Sequence, residues 1–396
     1  MANKLNVAVV FGGKSVEHEV SVLTGLQVIR ALDRAKYNVV PIYISKTGEW
    51  FTGDNLLSIE SYKWADSGEI PAQSCSIPAD STIQGLVTPI TTGIFQSNKV
   101  VNLDVVIPAV HGTFGEDGTL QGLLELANIP YTGCDVTASS IGMNKSLTKK
   151  VLKSENLPVV DGIEISRSRW NSSPEEVIRE VSGRFISPFF VKPCNLGSSI
   201  GVKKISDIDE LDDALSVVYS FDHTALVEPN MGNFIEINCS VLGDGIDVQA
   251  SPCEQPIPWQ EFLTYEDKYM RGASHLGMKG ADRILPAQIS QSLTEKIQHL
   301  SKQVFMAIKA SGIVRIDFFV NIETEDVFVN EINTTPGSFS FYLWQAAGLT
   351  STQVLDKIIQ ISLDTHSNKQ RRIFTQNTGL LEKVALSGVK FGVKNI

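Results

Sequence analysis

Residues 5–11, LNVAVVF, are an almost continuous apolar run that stops at Gly12-Gly13. A run of that length, ended by a glycine turn, reads as a buried strand. Val22, Leu26, Ile29 and Leu32 then recur at three- to four-residue spacing, which predicts a helix, and residues 38–44 read as a second strand. Strand, glycine turn, helix, strand opens a doubly wound, parallel α/β sheet. Ligands of such sheets gather beyond the carboxyl ends of the strands, here at the loop GGKSVEHEVS. Glu17 and Glu19 lie there, and Glu19 is expected only to complement the helix dipole. Gly13-Lys14-Ser15 is not a phosphate-binding P-loop, because Ala8 stands where that motif needs glycine. His18-Glu19 has no second histidine at the spacing of a zinc protease.

Residues 49–98 are polar, rich in Ser and Thr, and read as an elaboration of this first domain. A strand at 101–110 leads into HGTFGEDG, whose three glycines let backbone approach a ligand closely. A helix at 119–128 completes the unit, with a boundary near Gly133. Beyond it, a helix is expected from Asp135 to about Glu155, then strands at 188–192 and 200–203 around the loop 193–199. That loop, with hydroxyl and backbone donors after Lys192, can cradle phosphate without P-loop geometry. A helix at 207–219 and strands at 224–228 and 236–242 follow. The segment 264–282 has little pattern but holds Tyr265, Lys268, Tyr269, Arg271 and Lys279, and loops of that length are usually functional or disordered. A helix at 292–310, the stretch 314–337, a last helix at 351–363 and a basic tail from 368 complete the chain. The domains are therefore expected at 1–133, 134–228 and 229–367, with 368–396 as the tail.

The chemistry is concentrated in VRIDFFVNIETEDVFVNEINTTPG, residues 314–337. It reads as two strands joined by a polar turn at 321–326. Alternation puts Arg315 and Asp317 on one face, and Glu331 and Asn333 likewise. If the strands pair symmetrically about the turn, Asp317 opposes Glu331 and Arg315 opposes Asn333. Carboxylate and amide oxygens are hard ligands suited to Mg²⁺, which leaves positions open for phosphate oxygens. A salt-bridged hairpin face is the plainer alternative.

A chain of 396 residues has room for two or three cores. Its net charge of −10 argues against a nucleic-acid binder. Five scattered cysteines without a Cys-x-x-Cys pair read as reduced thiols. The N-terminus has no signal-peptide pattern and no apolar run approaches the roughly 20 residues that span a bilayer. The expected setting is the cytoplasm, with no membrane partner.

In order along the chain stand FGGKSVEHEVS, HGTFGEDGTLQGLLELANIPYTG, MNKSLTK, FVKPCNLGSSIGV, LVEPNMGNFIE, YEDKY, RIDFF and NEINTTPG. With these motifs the chain resembles the D-alanine–D-alanine ligases of the ATP-grasp superfamily over nearly its whole length, to about Leu363. The resemblance implies an N-terminal substrate-binding α/β domain followed by a two-domain ATP-grasp fold, with ATP held between the last two domains. It implies that Lys145, Lys192 and Lys268 meet the phosphates, and that Ser198 and Ser199 lie in the cover over them. Glu228 and Met231 would meet adenine, and Glu236 the ribose. Asp317, Glu331 and Asn333 would hold two Mg²⁺ ions, with Mn²⁺ as a substitute. Glu17 would take the ammonium of the first D-alanine, beside His111, in a hydrogen-bonded set with Ser198 and Tyr269. Arg315 and the Gly337 N–H would stabilise the oxyanion. The implied assembly is a homodimer and the implied role is the synthesis of peptidoglycan precursors.

Three stretches depart from the family pattern. Pro229 follows Glu228 where many relatives carry a long side chain, and the segment 264–282, which the resemblance makes a lid that excludes water, has extra length around 277–283. The segment SFSFYLWQAAG is short, placing Tyr342 and Leu343 where a Ser-Leu pair usually receives the second substrate. The alternatives are therefore a ligase with another second substrate (D-serine, another amino acid or a hydroxy acid) and a non-catalytic ATP-binding regulatory module.

Overall fold

The computed structural model describes residues 4–62, 72–92, 95–257 and 283–386. The segment 264–282, with Lys268 and Tyr269, lies outside them.

The chain opens as expected with β1 (Leu5–Gly12), α1 (His18–Ala31) and β2 (Tyr37–Ile44), the two strands parallel from Leu5↔Tyr37 to Gly12↔Ile44. The polar elaboration extends this sheet. β3 (Trp50–Thr52) and β4 (Gln73–Ser74) add antiparallel strands at its edge, while β5 (Gly85–Thr92) and β6 (Phe95–Asn102) form a separate hairpin. The apolar run at 101–110 is not one strand. Val101 and Asn102 end β6, and β7 (Val105–Pro108) joins β1 in parallel. Between them the Asp104 carboxylate accepts the Asn6 N–H at 2.7 Å, pinning the turn to β1. The sheet order is β4-β3-β2-β1-β7, with α2 (Thr119–Leu126) following.

The helix expected from Asp135 to Glu155 is also two elements, α3 (Val136–Met143) and α4 (Lys145–Ser154). Asn144 adopts an extended backbone between them and caps α4, its side-chain oxygen accepting the Leu147 N–H at 2.8 Å. Its Nδ2 donates to Asn195 Oδ1 at 2.8 Å, and the Lys145 N–H donates to Cys194 O at 2.9 Å. The break thus ties the start of α4 to the rest of the central domain.

That domain contains β8 (Ile163–Ser166), α5 (Arg167–Ser172), α6 (Pro174–Arg184), β9 (Phe189–Pro193), β10 (Lys203–Ile205), α7 (Leu211–Val218) and β11 (Thr224–Pro229). Its antiparallel sheet runs β10-β9-β11-β8. The strand expected at 200–203 begins only at Lys203. The preceding residues form turns, entered through Ser198 and Ser199 at φ of 56° and 58°.

The last domain holds β12 (Ile235–Gly243), β13 (Val248–Ala250), β14 (Gln255–Pro256), β15 (Arg283–Ile284), α8 (Gln291–Ala307), β16 (Gly312–Val320) and β17 (Val327–Asn333). Its antiparallel sheet runs β13-β12-β16-β17, and β14 pairs with β15 as a short ribbon. α9 (Phe341–Ala346), α10 (Ser351–Gln370) and α11 (Leu380–Leu386) end the described chain. α10 runs past its expected end at Leu363 and past the expected start of the tail. Lys369 pairs with Glu125, and His366 Nε2 lies 3.1 Å from Asn128 Oδ1, so its last turns are held against the N-terminal domain.

Burial follows the same joints. Phe341, Trp344, Val354 and Ile358 of α9 and α10 pack into one core with Val7, Val9 and Phe11 of β1. Ala138 and Leu152 of α3 and α4 pack beneath the β12–β16–β17 sheet. Burying side chains of this size contributes roughly 1.5–3 kcal/mol each, so the three parts share cores where they meet. All five cysteines are free and buried, as expected.

Candidate active site

β16 and β17 pair with Asp317 opposite Glu331 and Arg315 opposite Asn333, the expected partners, but they are reached through an irregularity between Asp317 and Phe318 that shifts the register by one residue and leaves the hairpin asymmetric about its turn. Arg315 Nε and Nη2 donate to the two Asp317 carboxylate oxygens at 2.7 and 2.8 Å, and Asn333 Nδ2 donates to Oδ2 at 3.0 Å. Burial acts against the Arg315 charge, but Asp317 outweighs it and holds the guanidinium firmly protonated. Glu331 pairs with Lys145 Nζ at 3.1 Å, and that ammonium also donates to Leu196 O at 2.6 Å. Burial alone would lower the Lys145 pKa, but the Glu331 charge more than offsets it and the pKa is raised. The hairpin face is salt-bridged, and it is also the floor of two cavities.

The first cavity lies between the N-terminal loops and the hairpin, and its lining includes Glu17, His111, Ser198, Arg315, Asn333 and Gly337. The second lies between the two antiparallel sheets, lined among others by Lys145, Lys192, Ser199, Glu228 and Met231. Glu236 and Glu331 line both. Every described residue expected at the nucleotide lines the second cavity except Ser198, which faces the first. Asp317 is buried beneath Arg315. Leu343 is fully buried and is not among the residues lining the first cavity.

Glu17 sits at the N-terminus of α1, buried, and accepts a hydrogen bond from Ser198 Oγ across the domain joint. The approach needs glycine at 112, which has φ +73° and where a Cβ would lie 2.7 Å from Glu17 Oε2. His111 Nε2 is 2.8 Å from Thr24 Oγ1. Burial, with the Arg315 charge, depresses the His111 pKa to about 4, so the ring is neutral at pH 7. Glu116, which sequence reasoning did not single out, accepts the Gly112 N–H at 2.8 Å and the Thr335 N–H at 3.0 Å. Burial and the nearby Glu17 charge push its pKa up to about 8.

In the second cavity Glu228 is buried between two ammoniums, Lys149 at 2.6 Å and Lys192. Burial would raise its pKa, but the lysines outweigh burial and lower it. Lys149 was also missed, although four residues from Lys145 on a helix is the spacing that shares a face. At the far wall of the first cavity the Tyr342 hydroxyl donates to Glu254, which also accepts from Asn238 Nδ2 at 3.1 Å.

Among the described residues no three His, Cys, Asp or Glu side chains gather as a metal site. The oxygens of Asp317, Glu331 and Asn333 nevertheless fit Mg²⁺, since two carboxylates and a carboxamide leave positions for phosphate and water. Of the three, Glu331 lines both cavities, Asn333 lines the first, and Asp317 lies buried behind them under Arg315.

Two antiparallel sheets closing on a cavity, with Lys192 from one, Lys145 from the start of α4 and Glu236 and Glu331 from the other sheet, define an ATP-grasp protein. Family models described as D-ala D-ala ligase N-terminus and D-ala D-ala ligase C-terminus match residues 6–134 and 151–360. The chain belongs to the D-alanine–D-alanine ligase family. It is 37% identical over 381 residues to the D-alanine–D-alanine ligase of Thermosipho africanus, covering 96% of this chain and 98% of that one. Among solved structures it resembles the D-alanine–D-alanine ligase from Coxiella burnetii, with TM-score 0.75, 31% identity and coverage of 98% and 99%. The VanG D-Ala:D-Ser ligase from Enterococcus faecalis gives TM-score 0.77, 28% identity and coverage of 91% and 100%.

Proposed function

We infer that this protein joins two D-alanines at the expense of ATP, for peptidoglycan precursors, through an acyl phosphate. The observation that carries the reading is that Glu331 lines both the lysine-walled cavity and the cavity holding Glu17 and Arg315. A γ-phosphate and an amino-acid carboxylate placed in the two cavities meet there. Glu17 receives the ammonium of the first D-alanine, with Ser198 fixing the carboxylate that does so and His111 beside it. Lys145 and Lys192 neutralise the phosphates, Glu228 and Met231 face adenine and Glu236 the ribose.

In the first step a carboxylate oxygen of D-alanine attacks the γ-phosphorus and ADP leaves. Positioning and charge neutralisation supply most of the rate in such transfers. In the second step the amine of the other D-alanine attacks the acyl carbonyl, phosphate leaves and the new amide loses a proton. The Arg315 guanidinium and Gly337 N–H stabilise the negative oxygen of that intermediate. Divalent ions on Asp317, Glu331 and Asn333, two Mg²⁺ in this reading, supply Lewis-acid stabilisation of the phosphate charge. Tyr269 and Lys268, which lie outside the described residues, are assigned to the site in this reading, and the acyl phosphate must be kept from water.

The protein acts as a cytoplasmic homodimer with domains at 1–133, 134–228 and 229–367 in this reading. No described helix is long and apolar enough to cross a membrane. The test is phosphate release and product analysis with D-alanine, D-serine, L-alanine and D-lactate across pH 6–9. D-alanyl-D-alanine should dominate and rise with pH as the attacking amine loses its proton. Absence of D-alanine-dependent phosphate release, or dominant D-lactate incorporation at pH 7, would sink the reading.

A further inference from the structure

The first cavity poses an electrostatic problem. Among the described residues, five glutamates line it (Glu17, Glu116, Glu236, Glu254 and Glu331, of which Glu116 keeps its proton near neutral pH) against two arginines, Arg283 and Arg315. An amino acid that enters as the attacking amine brings a carboxylate of its own into this acidic setting. Leaving that charge unpaired in a partly desolvated cavity is costly, so a cation must meet it.

Arg315 already has work on both sides, because its Nε and Nη2 edge holds Asp317 and, in the ligase reading, its remaining N–H groups meet the oxyanion. The Tyr342 hydroxyl is committed to Glu254. Arg283 differs from both. It emerges on β15, where its backbone pairs with Pro256, and its guanidinium lies over the Tyr342 ring with 4.0 Å from Cζ to the ring centroid. Its one hydrogen bond from the side chain to a described residue is a long one, from Nη1 to Glu254 at 3.4 Å. A guanidinium stacked on an aromatic face keeps its edge N–H groups available, and that edge matches a carboxylate bidentately. Glu254 is held in turn by Tyr342 and Asn238, so the arginine rests on a fixed platform. Arg283 and Tyr342 also line a wide outer groove with Gln27, Arg30 and Gln345. The arginine therefore stands at the wall between that groove and the cavity.

We propose that Arg283 receives the carboxylate of the second amino acid, held in place by the Tyr342 ring and Glu254. The inference rests on the ligase reading above. It makes Arg283 the residue that selects second substrates carrying a carboxylate next to the attacking amine. Tyr342 is a positioning residue here and does not itself bind that carboxylate.

The experiment compares D-alanine with D-alaninamide as second substrate. The amide has no carboxylate to phosphorylate, so it enters only as the amine. D-alanine is kept saturating as the first substrate, and dipeptide and dipeptide amide are quantified from the same mixtures. Arg283→Ala should reduce the preference for D-alanine over D-alaninamide by about ten- to a hundredfold, the range expected for losing a charge-assisted hydrogen-bonded pair. Arg283→Lys should restore part of it, and the half-saturation for the first D-alanine should stay within about twofold. Because the preference is a ratio within one preparation, partial loss of folded protein cancels. An unchanged preference in Arg283→Ala, with dipeptide still formed, would overturn the assignment alone. A wild-type protein that forms no dipeptide would overturn the ligase reading instead.

Discussion

Glu331 lines both cavities and pairs with Lys145 at 3.1 Å. Glu331→Gln keeps the shape of the hairpin and removes one negative oxygen donor. Turnover should fall at least about a hundredfold, as for loss of a principal electrostatic stabiliser. ADP release titrated with Mg²⁺ is the measurement, and near-normal rates at ordinary Mg²⁺ would take the hairpin out of the site. Glu116 predicts something different. Its pKa, raised from 4.5 to about 8, means that the folded protein retains a proton the unfolded chain has released. Below pH 4.5 the group is protonated in both states and imposes no penalty. Stability should decline as pH rises from there, with the penalty complete above about pH 8. Thermal unfolding from pH 6 to 9 should therefore show a fall in Tm that Glu116→Gln flattens. A parallel fall in both proteins would place the charge elsewhere.

The junction of α3 and α4 illustrates how an element boundary serves the site. Asn144 caps α4 and, through its Nδ2, holds Asn195 in the loop over the nucleotide cavity. Asn144→Ala should cost about 0.5–2 kcal/mol of stability, the usual price of a lost cap. Asn144→Asp keeps the capping oxygen but cannot donate to Asn195. It should unfold near the wild-type temperature yet need several-fold more ATP for half-saturation. Equal ATP requirements in Asn144→Asp and wild type would separate the break from nucleotide binding. This boundary was hidden in the sequence because asparagine is tolerated inside helices and the apolar pattern runs on through it. The division between β6 and β7 was hidden likewise, since Leu103 carries the apolar run across the Asp104 turn. Alternation about a polar turn, by contrast, named the right β16–β17 partners at Asp317 and Arg315, although the register shift between Asp317 and Phe318 that brings them opposite Glu331 and Asn333 leaves no mark in the apolar pattern. Glu116, Glu254 and Arg283 were not legible at all. Their partners are Thr335, Tyr342 and one another, contacts that exist only once distant segments have packed.

Across the molecule, the N-terminal domain and the last sheet must hold a fixed spacing, because Glu17 comes from one and Arg315 from the other. One joint between them is backbone on backbone. Gly312 opens β16 at φ +76°, and a Cβ there would lie 2.8 Å from Gly133 Cα and 2.9 Å from Gly133 N. Neither backbone can yield as a flexible side chain would, so Gly312→Ala must either push the sheet from the N-terminal domain or distort the strand that carries Arg315. The left-handed backbone alone costs a residue with a Cβ roughly 1–2 kcal/mol, and the clash adds to it, so Tm should drop clearly. The kinetic consequence should be selective. The second cavity lies between the central and last sheets and, among the described residues, is lined by none from the N-terminal domain, whereas the first is lined by Glu17, His111 and Glu116. Half-saturation for the first D-alanine should therefore rise several-fold in Gly312→Ala while that for ATP stays within about twofold. If both rose together, the joint at Gly133 would be supporting the last sheet as a whole rather than setting the distance between Glu17 and Arg315.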